Sequence, residues 1–241
     1  SVISMSVLHP RWGGTQGWFF EKSDLSTHDH ANGQNFLYQI YQMAKPDFTG
    51  KVTVPVLWDK RQKTIVSNES GDIIRMLNGA FDQWGDASVD FYPPHLRTDI
   101  EAMNQRILGA VCMGVYAAGF ASDQKSYEEA VSRLFEELDA LEGRLAENLY
   151  LLGGQVTESD WHLFSTLVRF DAVYHTKMKC SVRRLIDYPN LSRYVNRLYQ
   201  CPGVARTVRL DHVKRHYFDD LGLGNPNLIP ADPARDFRSA A

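Results

Sequence analysis

The hydrophobic residues of this chain change their spacing between about residue 80 and Pro94, and no single type of element accommodates both patterns. Before the change, apolar and β-branched residues come in short runs bounded by Gly and polar turns: Val2 to Leu8, Val52-Thr53-Val54-Pro55-Val56-Leu57-Trp58, and Thr64-Ile65-Val66. Such runs fit a pleated, half-buried surface and read as strands. The polar stretch Asp59 to Lys63 suits a hairpin connection, so residues 52–58 and 64–66 are expected to pair antiparallel. A helix is predicted to follow from about Ser70, with Ile73, Ile74 and Leu77 on one face.

After the change the period is helical. Ile100, Met103, Ile107, Val111 and Val115 make one stripe, and Tyr127, Val131, Leu134, Leu138, Leu141 and Leu145 another. A third helix opens at Thr157-Glu158-Ser159-Asp160, where the threonine caps the helix and the acid three residues on reaches back to the cap. Val156 and Trp161 stand at the positions of a hydrophobic staple. From Trp161 to Tyr174 the pattern leaves little room for a wet face, which predicts a central, buried helix. A fourth helix is predicted from Leu191 to Tyr199, stopped by Cys201-Pro202-Gly203. The domains so read are 1–85, with strands and helices, and 86–218, all helical, followed by an extended Gly-, Pro- and Asn-rich tail over 219–241. The long stretch between residues 10 and 35 has loop composition, and long ordered loops often carry function.

Charge narrows the partners. A net charge of −3 with no Lys/Arg-rich block gives nothing to neutralise a run of phosphates, so nucleic acid is excluded as an expected partner. No run approaches the roughly 20 apolar residues that span a bilayer, and the first residues lack the basic flank of a signal peptide, so no membrane and a cytoplasmic location are expected. Cys112, Cys180 and Cys201 lie far apart, without ligand spacing, which predicts reduced thiols and neither a disulfide framework nor a metal site. His28-Asp29-His30 and Arg183-Arg184 read as solvated surface.

Val54-Pro55, two strands and then Asn68-Glu69-Ser70 at a helix start have a possible mechanical purpose. A proline in a strand belongs at an edge, or where a cis bond turns the preceding backbone amide toward a ligand. Glu69 and Ser70 are placed either to cap the helix or to offer a hydroxyl and free N–H groups to a carboxylate. Residue by residue both readings stay open. Tyr116, read alone, is a core aromatic of a helix face, and Tyr217 a loop residue.

Eight segments carry a resemblance: Val52 to Asp59, Asn68 to Ser70, Asp90-Phe91-Tyr92-Pro93, Gly114-Val115-Tyr116, Ala118-Gly119-Phe120-Ala121, Thr166 to Asp171, Asp187 to Leu191, and Lys214-Arg215-His216-Tyr217. In register over nearly the whole chain, they resemble the glutathionyl-hydroquinone reductases, also called Xi-class glutathione transferases. The resemblance implies an α/β plus all-α fold, a thioredoxin-like domain followed by a glutathione-transferase-type helical bundle. It implies that Trp18 packs on glutathione, that Val54 before a cis Pro55 pairs with its cysteinyl part, and that Glu69 and Ser70 hold its γ-glutamyl group. Tyr116 and Tyr217 are implied to hydrogen-bond the hydroxyls of a hydroquinone ring, with Tyr174 a weaker third candidate, since burial explains it equally well. Glutathione as co-substrate, no metal, an aromatic glutathionyl-hydroquinone as partner and a homodimer through the helical domains are implied as well.

That family's nucleophile is the cysteine of a Cys-Pro-Trp segment at a helix N-terminus, and no such segment occurs in these 241 residues. The resemblance begins at the second strand, so the thioredoxin-like domain is expected to lack its first strand and first helix. A glutathione-transferase-like binding or scaffold protein is the competing reading. Residues 1–241 by themselves are predicted to be inactive and poorly soluble, because absence of the internal first strand would leave its neighbours with unpaired edges and an open apolar face; high reductase activity from them would refute this.

Overall fold

The computed structural model describes residues 2–219. Two compact units divide between Asp90 and Phe91. The first contains helix α1 (Leu37–Ala44), strands β1 (Leu57–Asp59) and β2 (Thr64–Ser67) and helix α2 (Ser70–Gly79). β1 and β2 pair antiparallel, with Trp58 opposite Ile65 and Asp59 opposite Thr64. Asp59 closes the connection by accepting the N–H groups of Arg61 and Gln62 at 2.8 and 2.9 Å. Lys63 completes it in the left-handed region.

Two strand expectations are corrected here. Val2 to Leu8 joins no sheet: Val7 N–H donates to the Thr27 hydroxyl at 2.9 Å, and a side chain in place of a backbone acceptor interrupts any ladder. Val52 to Val56 likewise lies outside β1, because Pro55 has no N–H to give and the Thr53 carbonyl is taken by the Tyr41 hydroxyl at 2.9 Å. Leu77, expected on the inner face of α2, is exposed, and Met76 is half-buried instead. Helix α1 was not foreseen, although Leu37, Ile40 and Tyr41 are buried at helical spacing. They form a small core, with Leu8, Trp18, Phe20, Trp58 and Ile65 packed against it.

The second unit is helical. Helix α3 (Arg97–Ile107) runs through a π turn, Leu108–Cys112, into α4 (Gly114–Gly119), and α5 (Gln124–Glu147) is the longest element. Helix α6 (Glu158–Arg169) passes through a second π turn, Phe170–Tyr174, into the short α7 (His175–Lys177). Helices α8 (Pro189–Tyr199) and α9 (Leu210–Asp219) follow. Helix α5 packs on α4 and α8, and α6 on α3 and α8, so the apolar stripes read from the sequence meet in one core. Leu163, Leu167, Phe170 and Val173 are buried there, which bears out α6 as the central helix. Glu142 of α5 caps α8, accepting Asn190 N–H at 2.9 Å and Leu191 N–H at 2.8 Å, where the helix dipole favours a carboxylate. Tyr217 lies on α9 and not in a loop; Leu210, Val213 and Phe218 pack with it against the core. Of the predicted tail, residues 220–241 lie outside the described residues.

The capping box is present. Asp160, fully buried, accepts Thr157 N–H at 2.8 Å, the Thr157 hydroxyl at 3.0 Å, Leu151 N–H at 2.9 Å and the Tyr194 hydroxyl at 2.9 Å. Burial raises its carboxyl pKa further than these four bonds lower it. The fold therefore holds this proton more tightly than the unfolded chain does, and acidification through the raised pKa stabilises the fold. Asp160→Ala strands several buried donors, each worth about 1–3 kcal/mol, and is expected to lose at least about 3 kcal/mol. Asp160→Asn keeps an acceptor and is expected to lose less, and to lack the stabilisation on acidification. Urea denaturation across pH measures both.

Candidate active site

In the first unit the peptide bond between Val54 and Pro55 is cis, and Val54 is exposed. Glu69 is the N-cap of α2 and Ser70 its first residue, both exposed, so the first-turn N–H groups point outward without intrahelical acceptors. The cap is fastened by Glu69 N–H to the Ser67 hydroxyl at 3.1 Å. Trp18 is half-buried, edge-on to Trp12 with ring centroids 5.2 Å apart, and its carbonyl accepts Leu37 N–H at 2.9 Å, which anchors the long loop to the start of α1. Phe20 N–H to the Asn35 carbonyl at 2.8 Å closes the loop on itself.

Tyr41 is the residue of this unit that sequence reasoning missed. Its buried hydroxyl donates to the Thr53 carbonyl at 2.9 Å and lies 3.1 Å from Asn68 Nδ2, which also reaches the Thr53 hydroxyl at 3.1 Å. One phenol thus fixes the residue before Val54 and the residue before Glu69. The signal available was the helical spacing of Leu37, Ile40, Tyr41 and Ala44.

In the second unit the three tyrosines singled out from sequence converge. The Tyr174 hydroxyl lies 3.1 Å from that of Tyr217 and 3.3 Å from that of Tyr116, and Tyr116 and Tyr217 are also hydrogen-bonded to each other. Tyr116 comes from α4, Tyr174 from the second π turn and Tyr217 from α9. Tyr174 and Tyr217 are buried and Tyr116 is half-buried, with Phe120 stacked on its ring at 6.2 Å between centroids. Burial drives the Tyr174 and Tyr217 pKa values up, so both stay protonated and able to donate. Space beside Gly119 is filled: a Cβ there would meet the Met178 Cβ at 2.9 Å, so α4 ends in close contact with the chain after α7.

Burial acts on the thiols in the same direction. Cys180 is pushed up to about 12, and Cys112 and Cys201 are raised. Cys201 sits at the C-terminal end of α8 and donates to the Arg197 carbonyl at 3.7 Å. None of the three has the electropositive, exposed surroundings of an activated thiol. Among the described residues no group of three His, Cys, Asp or Glu is placed to hold a metal.

Residues 124–197 match the family model for the glutathione S-transferase C-terminal domain. Over 235 residues the chain is 46% identical to glutathionyl-hydroquinone reductase PcpF of Sphingobium chlorophenolicum, covering 97% of this chain and 75% of that protein. Over 236 residues it is 48% identical to glutathionyl-hydroquinone reductase YqjG of Escherichia coli, covering 97% of this chain and 72% of that protein. This chain belongs to the glutathionyl-hydroquinone reductases. Among solved structures, the glutathione-bound YqjG of Escherichia coli superposes with a TM-score of 0.93 at 46% identity, covering 98% of this chain and 77% of that one. The Xi-class glutathione transferase of Natrialba magadii gives 0.94 at 41%, covering 98% and 73%. The chain thus has the glutathione-transferase fold of that enzyme family, with the thioredoxin-like part represented by the first unit and the helical bundle by the second.

Tyr41→Phe removes the bonds to Thr53 and Asn68 while keeping the ring. It is expected to lower stability by about 1–2 kcal/mol, and in amide hydrogen exchange the loss of protection should concentrate at Thr53 and at residues 68–71. Protection unchanged there would show that the hydroxyl does not hold these segments.

Proposed function

We propose that this protein carries out glutathione-dependent reduction of glutathionyl-hydroquinones, with glutathione on the first unit and the aromatic ring on the tyrosine hydroxyls of the second. The observation that carries the reading is the triangle of Tyr116, Tyr174 and Tyr217 hydroxyls, a cluster of donors that a purely structural core does not require. On the first unit, Val54 offers an exposed backbone beside the cis bond for the cysteinyl part of glutathione, Glu69 and Ser70 hold the γ-glutamyl group at the start of α2, and Trp18 packs on the tripeptide. The bond sequence is that of a thiol–disulfide system. A cysteine thiolate attacks the sulfur of the glutathionyl group, the sulfur–carbon bond to the ring breaks, and the ring takes the electron pair and a proton. The resulting cysteine–glutathione mixed disulfide is then opened by a second glutathione, giving glutathione disulfide and the regenerated thiolate. Tyr116 and Tyr217 assist by hydrogen-bonding the ring oxygens as charge arrives on the leaving aromatic.

The thiolate that this sequence of steps needs is not supplied by Cys112, Cys180 or Cys201, whose surroundings favour the thiol. Relatives at 46% and 48% identity across nearly the whole chain argue against a decayed scaffold. A homodimer through the helical units and a cytoplasmic location complete the reading; no helix among the described residues is long and apolar enough to cross a membrane.

The test is an assay of the protein encoded by the complete reading frame that contains these residues, on a glutathionyl-hydroquinone with glutathione, following release of glutathione disulfide. Tyr116→Phe and Tyr217→Phe are each expected to reduce kcat/KM about ten- to hundredfold, the equivalent of one hydrogen bond to a charged oxygen, with the KM for glutathione little changed. Undiminished activity in both variants would remove the tyrosines from the site. Loss of activity on combined replacement of Cys112, Cys180 and Cys201 by Ser, in a protein that stays folded, would overturn the exclusion of these thiols.

A further inference from the structure

Helix α4 is apolar on the side it turns outward. From Ile107 to Ala121 no charged side chain occurs. Gly114, Val115 and Ala118 are buried on the core side, while Met113, Ala117 and Phe120 lie along the other side and are exposed, Met113 to 61% and Phe120 to 64%. A helix on a protein surface ordinarily carries polar residues there. Val182, exposed to 66%, is a different case: it stands singly beside Arg183 and Arg184, and scattered apolar residues of that kind need no partner. Half-buried Tyr116 belongs to the same stripe as Met113 and Phe120, following the first and preceding the second at the spacing of one helix face.

Tyr116 ties this stripe to the hydroxyl triangle. Its hydroxyl is hydrogen-bonded to that of Tyr174, at 3.3 Å, and to that of Tyr217. The buried Tyr174 ring meets the Tyr116 ring edge-on, at 69° and 5.8 Å between centroids. The exposed Phe120 ring lies within 16° of parallel to it, 6.2 Å away. Backbone holds Phe120 in place: its N–H donates to the Tyr116 carbonyl at 2.9 Å, and Gly119 before it is pressed on Met178 so closely that a Cβ would meet the Met178 Cβ at 2.9 Å. We infer that Phe120 is a specificity-determining residue of the ring site, an apolar wall beside the hydroxyl triangle that favours hydroquinones with flat apolar surface beyond the oxygen-bearing ring. The inference rests on the ring-site reading above and adds to it the class of ring preferred. A ring whose oxygen bonds to the triangle has its polar edge satisfied there. Its flat face remains to be taken from water, and the exposed aromatic surface next to Tyr116 is the Phe120 ring. Aromatic faces stack offset with centroids about 4.5–7 Å apart, so a second fused ring adds contact with Phe120 that a single ring does not make.

The test uses the protein encoded by the complete reading frame and two conjugates, glutathionyl-hydroquinone and glutathionyl-naphthohydroquinone, with kcat/KM measured for each. The two differ in intrinsic reactivity, so the quantity read is the change in their ratio between the unmodified protein and a variant. Phe120→Ala is expected to lower kcat/KM about tenfold for the two-ring conjugate and about twofold for the one-ring conjugate, a difference of the size that one aromatic stacking contact supplies. Phe120→Leu, which keeps apolar volume without a flat face, is expected to fall between. Tyr116→Phe and Tyr217→Phe are expected to lower both conjugates alike. If the tyrosine variants do so but Phe120→Ala leaves the ratio unchanged, the ring site stands and the role of Phe120 falls. The same holds if Phe120→Ala lowers both activities equally and alters the sedimentation of the protein, which would assign the stripe to contact with a second copy of the chain. If the tyrosine variants have no effect, or neither conjugate is turned over, the ring-site reading and this inference fall together.

Discussion

At the start of α6 the carboxylate of Asp160 is shut away from solvent and takes four hydrogen bonds, from Thr157 twice, from Leu151 and from the Tyr194 hydroxyl. It therefore joins three pieces of chain: the helix it opens, the turn before it, and α8. A buried carboxylate is tolerated only when its acceptor positions are filled, so the arrangement permits little slack in how these pieces meet. Helix α6, fixed at this end, runs through the core to Arg169, and the π turn that follows ends on Tyr174. The meeting point of the Tyr116, Tyr174 and Tyr217 hydroxyls lies beyond the far end of the helix that this carboxylate opens.

The two π turns explain how the tyrosines come to face one another. A wide turn inserts a residue into a helix and rotates everything after it, and such turns concentrate at functional positions. In the chain from α3 to α4 the buried residues Ile107, Val111 and Val115 are spaced by four, which drifts off one face at about 3.6 residues per turn. The π turn at Leu108–Cys112 absorbs that drift, with Met113 N–H reaching the Leu108 carbonyl at 2.8 Å, and Tyr116 follows at once. The second π turn ends on Tyr174 itself. Both helices keep their apolar faces in the core while presenting hydroxyls at one point.

Much of this was legible in the sequence because burial leaves a periodic trace. The stripes of α3, α5 and α6, the capping box and the hairpin all depend on local spacing and local side chains. The losses have equally local causes. Val2 to Leu8 has strand composition, but its pairing is decided by Thr27, twenty residues away, and composition carries no information about partners. Val52 to Val56 fails as a strand because Tyr41 occupies the backbone of Thr53. Tyr217 looked like a loop because Gly, Pro and Asn follow it, although Leu210, Val213 and Phe218 give the helical spacing that α9 uses. The roles proposed for Trp18, Val54, Glu69, Ser70 and the tyrosines came from resemblance and not from periodicity. Val54, Glu69 and Ser70 are exposed and have no burial pattern to reveal them.

Burial has opposite chemical meanings for the two kinds of acid that the helical unit contains. A phenol whose pKa is raised remains a hydrogen-bond donor at neutral pH, which is what a ring oxygen gaining charge requires. A thiol whose pKa is raised loses the thiolate that makes it a nucleophile. The interior that keeps Tyr174 and Tyr217 protonated therefore makes Cys112 and Cys180 inert. Sulfur chemistry calls for the reverse setting, an exposed helix N-terminus with free N–H groups, and the first unit has that character at Ser70 but no cysteine among residues 1–90. One interior cannot both keep phenols protonated and keep a thiol ionised.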